Sequence, residues 1–405
     1  MEDHLPDEDV LTIPDSWRRS LHARRGGAPG PTTKVDAAAP DAVRDLIAQE
    51  GDRIGALREG GAGDPALTEA ARRHLDGEAD PYGAAVVAAV IAVRAGRFGS
   101  PRSDEVHRAF VDAWIVEHGV PFAACALVEL SRTEAEFADL GTKVGAVHLT
   151  DDHKVAVPPD DARRVRNLLA AADEPVYAEA IDRLAGHRSG WITRWLVSYL
   201  VPTREDWVDE CCTAPIPPQR RYDLLWMAAG ALGRGDQLTT PIMARGLFYG
   251  QAGRALLITL ADGLGADALP FLAKEADSRF LEADDRKRIL ETIALLPSDE
   301  AFQALLDRQD QKYARPRWAR RPGASPSGRC GCWRGRASTT CSAAMPRPTP
   351  TWSPPSCRTC RTTSPRSSGA SPTRPRASPT RHRTTCPPCS PSARGCNRGA
   401  RSCPA

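Results

Sequence analysis

Glu282-Ala-Asp-Asp-Arg-Lys-Arg-Ile-Leu-Glu-Thr-Ile-Ala-Leu-Leu296 is the stretch whose spacing decides the fold. Four of its five large aliphatics, Ile289, Leu290, Ile293 and Leu296, stand at i, i+1, i+4 and i+7, with charges ahead of and between them. A half-buried strand alternates with period two, whereas 3.6 residues per turn bring these four onto one helical face. Pro297 then stops the helix.

Working outward, the same spacing predicts helices over 41–58, 65–75, 83–95, 103–117, 121–131, 159–172, 175–185, 190–200, 205–212 and 221–232, then 240–250, 253–260, 267–276, 282–296 and 299–309. Asp64-Pro65 and Asp80-Pro81 read as an N-cap followed by proline at the first helical position, and Gly119 reads as a stop before Pro121. Residues 142–157 lose the helical period and read as a short hairpin or long loop. The expected organisation is a disordered arm at 1–35, a helical domain at 36–141, a non-helical connector at 142–157, a helical-repeat domain at 158–316 and a disordered tail at 317–405. Ala268-Leu-Pro-Phe-Leu272 and Ala301-Phe-Gln-Ala-Leu305 lie 33 residues apart. That offset suits paired helices of a HEAT-like or armadillo-like superhelix, and two ordinary amphipathic helices are the plainer alternative. The predicted fold class is all-α.

The whole-chain net charge of +3 hides two unlike texts. Residues 317–405 contain no Asp, Glu, Lys, Leu, Ile, Val, Phe or Tyr, but hold 17 arginines and 9 of the 12 cysteines. Removing those 17 charges from +3 leaves about −14 on residues 1–316, so the body is acidic. A segment without large aliphatics has little to bury against the entropy of ordering. Shifting the reading frame back one base turns every Cys and Trp codon, both beginning TG, into xTG, which encodes Leu, Val or Met. With G or C at most wobble bases, 318–333 becomes Leu-Gly-Glu-Ala-Ala-Arg-Arg-Phe-Pro-Glu-Arg-Ala-Leu-Arg-Leu-Leu. The stretch 338–357 likewise becomes Val-Asp-Asp-Leu-Leu-Arg-Arg-His-Ala-Ala-Ala-His-Pro-Asp-Leu-Val-Ala-Ala-Val-Leu. Acids and aliphatics return together at helical spacing, so the tail reads as out-of-frame translation, and Ala-Leu-Arg-Leu-Leu supplies a third copy of the repeat.

Three body cysteines, Cys125, Cys211 and Cys212, suit a reducing compartment. The acidic N-terminus is unlike a secretory signal, and the apolar run at 84–93 is short for a bilayer, so the expected location is cytoplasmic without a membrane span.

Of the chemistry-bearing clusters, Cys357-x-x-Cys360 with Cys386-x-x-Cys389 has zinc-like spacing but no aliphatic core to fold around a metal. His148, Asp151, Asp152 and His153 offer metal ligands or acid–base groups, with a polar surface loop as the plainer reading. His107 and His118 share a helix face too far apart for a common ligand, and Cys211-Cys212 reads as buried or surface thiols rather than a redox pair. Trp191, Trp195 and Trp226 read as core or groove walls. Phosphate-loop, dinucleotide, nucleophile-elbow and HExxH signatures are absent, so no catalytic, cofactor-binding or metal residue is assigned and no cofactor is expected. Arginine density in the tail would bind phosphates without specificity.

Residues 13–27 (Ile-Pro-Asp-Ser-Trp-Arg-Arg-Ser-Leu-His-Ala-Arg-Arg-Gly-Gly), Asp112-Ala-Trp114 through Glu129-Leu130, and 305–313 (Leu-Leu-Asp-Arg-Gln-Asp-Gln-Lys-Tyr) resemble large actinobacterial-type proteins. Those carry a domain of unknown function found beside WGR modules, and some are labelled molybdate metabolism regulators. The resemblance implies a helical-repeat protein longer than this chain and brings no catalytic residues. The expected function is an interaction scaffold, the N-terminal part of a larger regulatory protein, with a protein partner and no specific nucleic acid; the alternative is the non-catalytic N-terminal region of a larger enzyme whose active site lay beyond the frame break, and nucleic-acid binding through the arginine-rich tail is ranked below both. Oligomeric state is left open.

Overall fold

The computed structural model describes residues 10–59, 64–95, 100–139, 143–149, 157–216, 224–247 and 252–309. All belong to one compact unit, Met1–Arg334; the other unit, Gly335–Ala405, lies outside the described residues, and with it the expected tail disorder.

The helices are α1 (Asp15–Arg18), α2 (Ala39–Gln49), α3 (Gly51–Arg58), α4 (Pro65–Leu75), α5 (Pro81–Ala95) and α6 (Pro101–Leu130). After a hairpin of β1 (Thr133–Asp139) and β2 (Lys143–Leu149) come α7 (Pro159–Ala171), α8 (Glu174–Ala185), α9 (Trp191–Leu200), α10 (Glu205–Thr213) and α11 (Leu225–Ala231). The series closes with α12 (Arg254–Leu264), α13 (Leu269–Ala276), α14 (Ala283–Ile293) and α15 (Asp299–Leu306). The fold is all-α apart from the hairpin.

Local chemistry sets the ends. The Asp64 carboxylate accepts from the amide of Ala66, and Asp80 accepts from Tyr82 and Gly83 at the start of α5. Gly119 takes φ 83° and ψ 169° and splits α6 into two helices, as its place before Pro121 predicts. The α6 stretch is long and apolar enough to cross a membrane, yet 67% of its most apolar window is buried inside the protein. At Gly83 an added Cβ would lie 2.1 Å from the carbonyl oxygen of Ala70, so α4 and α5 approach through a position only glycine fits.

The helices α6, α7, α9, α11, α12 and α14 each pack on the next, forming a continuous inner row. One cluster of buried apolar side chains runs from Ala39 to Leu305. The connector at 142–157 therefore does not separate two cores: α6 packs directly on α7, α8 and α9.

Several expectations need correction. The segment at 41–58 is two helices, broken at Glu50 (φ −100°, ψ 30°) just before Gly51, where helix propensity is poorest. At 240–250 the described residues form only a 3₁₀ turn, Met243–Arg245, closed by Gly246 at φ 75°. The Leu247 amide donates to the Glu275 carboxylate at 2.8 Å, which replaces a helical acceptor. The hairpin begins upstream of the connector: β1 pairs antiparallel with β2 through Thr133↔Leu149 and Glu134↔His148. Thr133 and Ala135 are buried while Glu134 is not, a short period-two signal.

The largest correction concerns the arm. Residues 10–35 form a strap packed along the inner row. Ile13, Trp17 and Leu21 join Ile258 in a second small core. The His22 amide donates to the Thr259 hydroxyl (3.1 Å), and the Ala23 amide donates to the Asn167 side chain (2.8 Å). Arg25 donates to the Ala172 carbonyl (2.6 Å), and the Ala28 amide donates to Asp262 (3.0 Å). Apolar anchors at four-residue spacing, together with amides satisfied by distant side chains, hold a segment that local composition marks as mobile.

Candidate functional site: a groove beside the last hairpins

A cleft of about 720 Å³ opens where a 3₁₀ turn (Gly235–Thr239) faces α13 and the start of α15. Leu238, Met243, Leu269 and Phe271 supply apolar walls, and Asp236, Asp267, Lys274 and Glu300 supply charge. The 3₁₀ turn is locked by Gln237. Its side-chain oxygen accepts from the amides of Gly233 and Arg234, and its amide nitrogen donates to Asp209 on α10 at 2.7 Å. Opposite, Ser298 caps α15 by accepting from the Ala301 amide at 3.1 Å. Asp236 is shared with Arg234 at 3.2 Å. Asp267, Glu300 and Lys274 are exposed and enter no ion pair among the described residues. The groove therefore presents an apolar wall between locked elements, with two unpaired carboxylates against one unpaired ammonium.

The clusters singled out by sequence do not converge on it. His148 lies across the hairpin from Glu134, with Nε2 at 3.8 Å from the carboxylate; Asp151, Asp152 and His153 lie outside the described residues. His107 is buried, and that burial pushes its pKa down to about 4, so it is neutral at pH 7. His118 instead meets the rings of Phe122 (4.4 Å) and His74 (6.4 Å). Burial pushes the Cys212 thiol up to about 12 and raises Cys211, which sits 3.5 Å from the Ser198 hydroxyl; both are thiols at neutral pH. Trp195 is buried, Trp191 is half-buried, and Trp226 packs edge-on against Tyr199 at 4.8 Å. No group of three or more His, Cys, Asp or Glu side chains suited to a metal occurs among the described residues. The Cys357/Cys360/Cys386/Cys389 pattern and the arginine tail lie outside them.

Two buried polar centres escaped the sequence reading. In one, the Glu129 carboxylate is held by the His187 ring (2.6 Å) and Arg132 (2.9 Å) beside Tyr82. In the other, Arg166 is fully enclosed. It donates to the carbonyls of Ala23 (2.7 Å), Tyr199 (2.7 Å) and Gly230 (2.8 Å) and lies 4.6 Å from the Tyr199 ring centroid. Burial lowers its pKa to about 10, so it keeps its charge at pH 7. Beside it the His22 ring shares a hydrogen bond with the Tyr199 hydroxyl (2.8 Å). Burial, reinforced by Arg166 and Arg163, pushes the His22 pKa down to about 3.

No curated protein and no solved structure matches this chain. A family model described as the YehI second domain does match, over residues 39–240, from the start of α2 to the 3₁₀ wall of the groove. The helices α12 to α15 lie beyond the match. Residues 39–240, largely helical, are thus similar to the YehI second domain, and two further helical hairpins follow them.

Proposed function

We propose that this protein is an interaction scaffold and that the groove between the 3₁₀ turn and α13/α15 seats a peptide segment of a protein partner. The observation that carries the reading is an open apolar cleft between locked walls whose unpaired rim charge is net negative. Apolar anchors supply affinity in such grooves, and rim charge selects the partner. The surrounding body, at about −14 over residues 1–316, adds a field that steers a basic segment inward. The favoured occupant is an amphipathic segment with leucines one helical turn apart and lysines flanking them. A HEAT-like stacking of α12/α13 on α14/α15 and membership among WGR-associated regulators fit this scaffold role and belong to the same proposal.

The test is fluorescence anisotropy with a labelled twelve-residue probe carrying that Leu/Lys pattern, against a control with glutamate for lysine. Saturable binding of the lysine probe, lost in Leu269→Glu and weakened in the Asp267→Lys/Glu300→Lys double variant, supports the reading. Absent saturation, or equal binding by the control and by Leu269→Glu, overturns it.

A further inference from the structure

The strap at residues 10–35 sits on the body as a ligand sits on a receptor. The buried members of the main core run from Ala39 to Leu305 and include no strap residue. The apolar anchors Ile13, Trp17 and Leu21 meet the body in a separate cluster around Ile258, with the Arg254 guanidinium 5.0 Å from the Trp17 ring centroid. The body's core is thus complete without the strap, and the strap adds a second, smaller interface of its own.

The seat under the strap is specific. Arg166 and Asn167 on α7 and Thr259 on α12 are buried, and each aims a polar atom at strap backbone. Thr259 accepts from the His22 amide (3.1 Å), Asn167 accepts from the Ala23 amide (2.8 Å), and Arg166 donates to the Ala23 carbonyl (2.7 Å). Buried polar atoms are costly when left without partners, so this surface favours an occupant that offers two amides and then a carbonyl. Beside them lies a slot for one guanidinium. Arg24 enters it where α11 ends and donates to the carbonyls of Ala231 (3.2 Å) and Leu232 (2.5 Å). Gly233 and Gly263 leave the room: a Cβ on either would stand 3.0 or 2.8 Å from a guanidinium nitrogen of Arg24. The next stretch has to be small, since a Cβ on Gly27 would lie 2.8 Å from Oδ2 of Asp262. The seat therefore reads apolar anchors four apart, then an arginine, then a glycine.

The tether that joins strap to body is built differently. Residues 31–35 have no regular structure and make no hydrogen bond. Pro31 biases Gly30 toward extended backbone, and the β-branched Thr32, Thr33 and Val35 favour the same conformation. We infer that the seat also takes the strap of a second copy of this chain, so that two copies pair by exchanging residues 10–30. A second copy carries the one segment that the seat is seen to fit at every anchor. Exchange keeps all the contacts of the seat and changes only the path of the tether, so concentration sets the balance between closed monomer and exchanged pair. The seat shares no lining residue with the cleft beside α13, and neither site depends on the other.

Two full-length variants test the pairing. Leu21→Glu spoils the strap and leaves the seat, whereas Gly233→Leu fills the guanidinium slot and leaves the strap. Sedimentation velocity on their equimolar mixture is expected to show a 1:1 dimer that neither variant forms alone. In that dimer, residues 13–28 of the Gly233→Leu chain are expected to exchange about tenfold or more slowly than in the same protein by itself. The two straps differ in mass at residue 21, so their peptides are read separately. As a second measurement, a labelled peptide of residues 10–30 is expected to bind the Leu21→Glu protein saturably, and the same peptide with Arg24→Ala about tenfold or more weakly. A mixture that stays monomeric, or peptide binding indifferent to Arg24→Ala, would overturn the inference. So would loss of exchange protection throughout α7 and α12 in Leu21→Glu, because the seat would then not outlast its own strap.

Discussion

The strap at residues 10–35 and the hairpin α14/α15 are finished by opposite means. The strap has little regular structure, yet Leu21 is fully buried and its backbone is held by Asn167, Thr259, Asp262 and Arg166. The helix α15 is regular and capped, yet keeps Phe302 and Leu306 half-buried. Regularity and burial are thus separate properties: backbone groups can be satisfied locally by a helix or at long range by side chains. Only the second route ties distant parts of the chain together.

The largest expected effect that bears on this contrast is at Arg166. Arg166→Ala leaves the buried carbonyls of Ala23 and Tyr199 without their side-chain donor, leaves Gly230 with only a long one from Arg24 (3.4 Å), and opens a void; it is expected to cost about 3–5 kcal/mol. Urea unfolding should show it; a loss below about 1 kcal/mol would mean the strap is not held through this cation. Next comes a paired substitution. Leu21→Ala is expected to cost about 3 kcal/mol and Leu306→Ala under about 1 kcal/mol, because only the first removes fully buried methyl groups. Equal losses from the two would erase the distinction between the ends.

A further effect is in pH. The His22 pKa is about 3 when folded against 6.5 unfolded, so only the unfolded chain takes a proton as pH falls below 6.5. Stability contributed by neutral His22 is present above pH 6.5 and is lost on acidification, by about 1.4 kcal/mol per pH unit until pH nears 3. Asp161, which burial pushes up to about 6, acts with the opposite sign between its unfolded 3.8 and pH 6, so the difference between wild type and His22→Gln isolates the effect. That difference should grow from pH 6.5 to 4.5, with exchange rising first at 13–28 and not in α14/α15, where there is no histidine. A pH-independent difference would remove His22 from the account.

Helices were legible wherever a cap or stop sat beside an apolar stripe, as at Asp64-Pro65, Asp80-Pro81 and Gly119. The strap was not, although Ile13, Trp17 and Leu21 stand four apart, because its partners lie on α7, α9, α11 and α12 and Gly26 to Pro31 reads as a flexible run. The hairpin was half legible: β2 fell where the helical period failed, and β1 hid in acidic residues with one short alternation. The groove was illegible for a geometric reason, since Leu238, Phe271 and Glu300 come from three separated segments and no local pattern unites them.

The strap also imposes an order on biosynthesis. The His22 amide meets Thr259, 237 residues later in the chain, so the strap cannot dock until α12 has emerged from the ribosome. At ordinary elongation rates that is a delay of roughly 12 to 50 s. During it Ile13, Trp17 and Leu21 stay in solvent beside a growing helical stack, a nascent-chain signal that chaperones recognise. The strap therefore finds its place long after it is made.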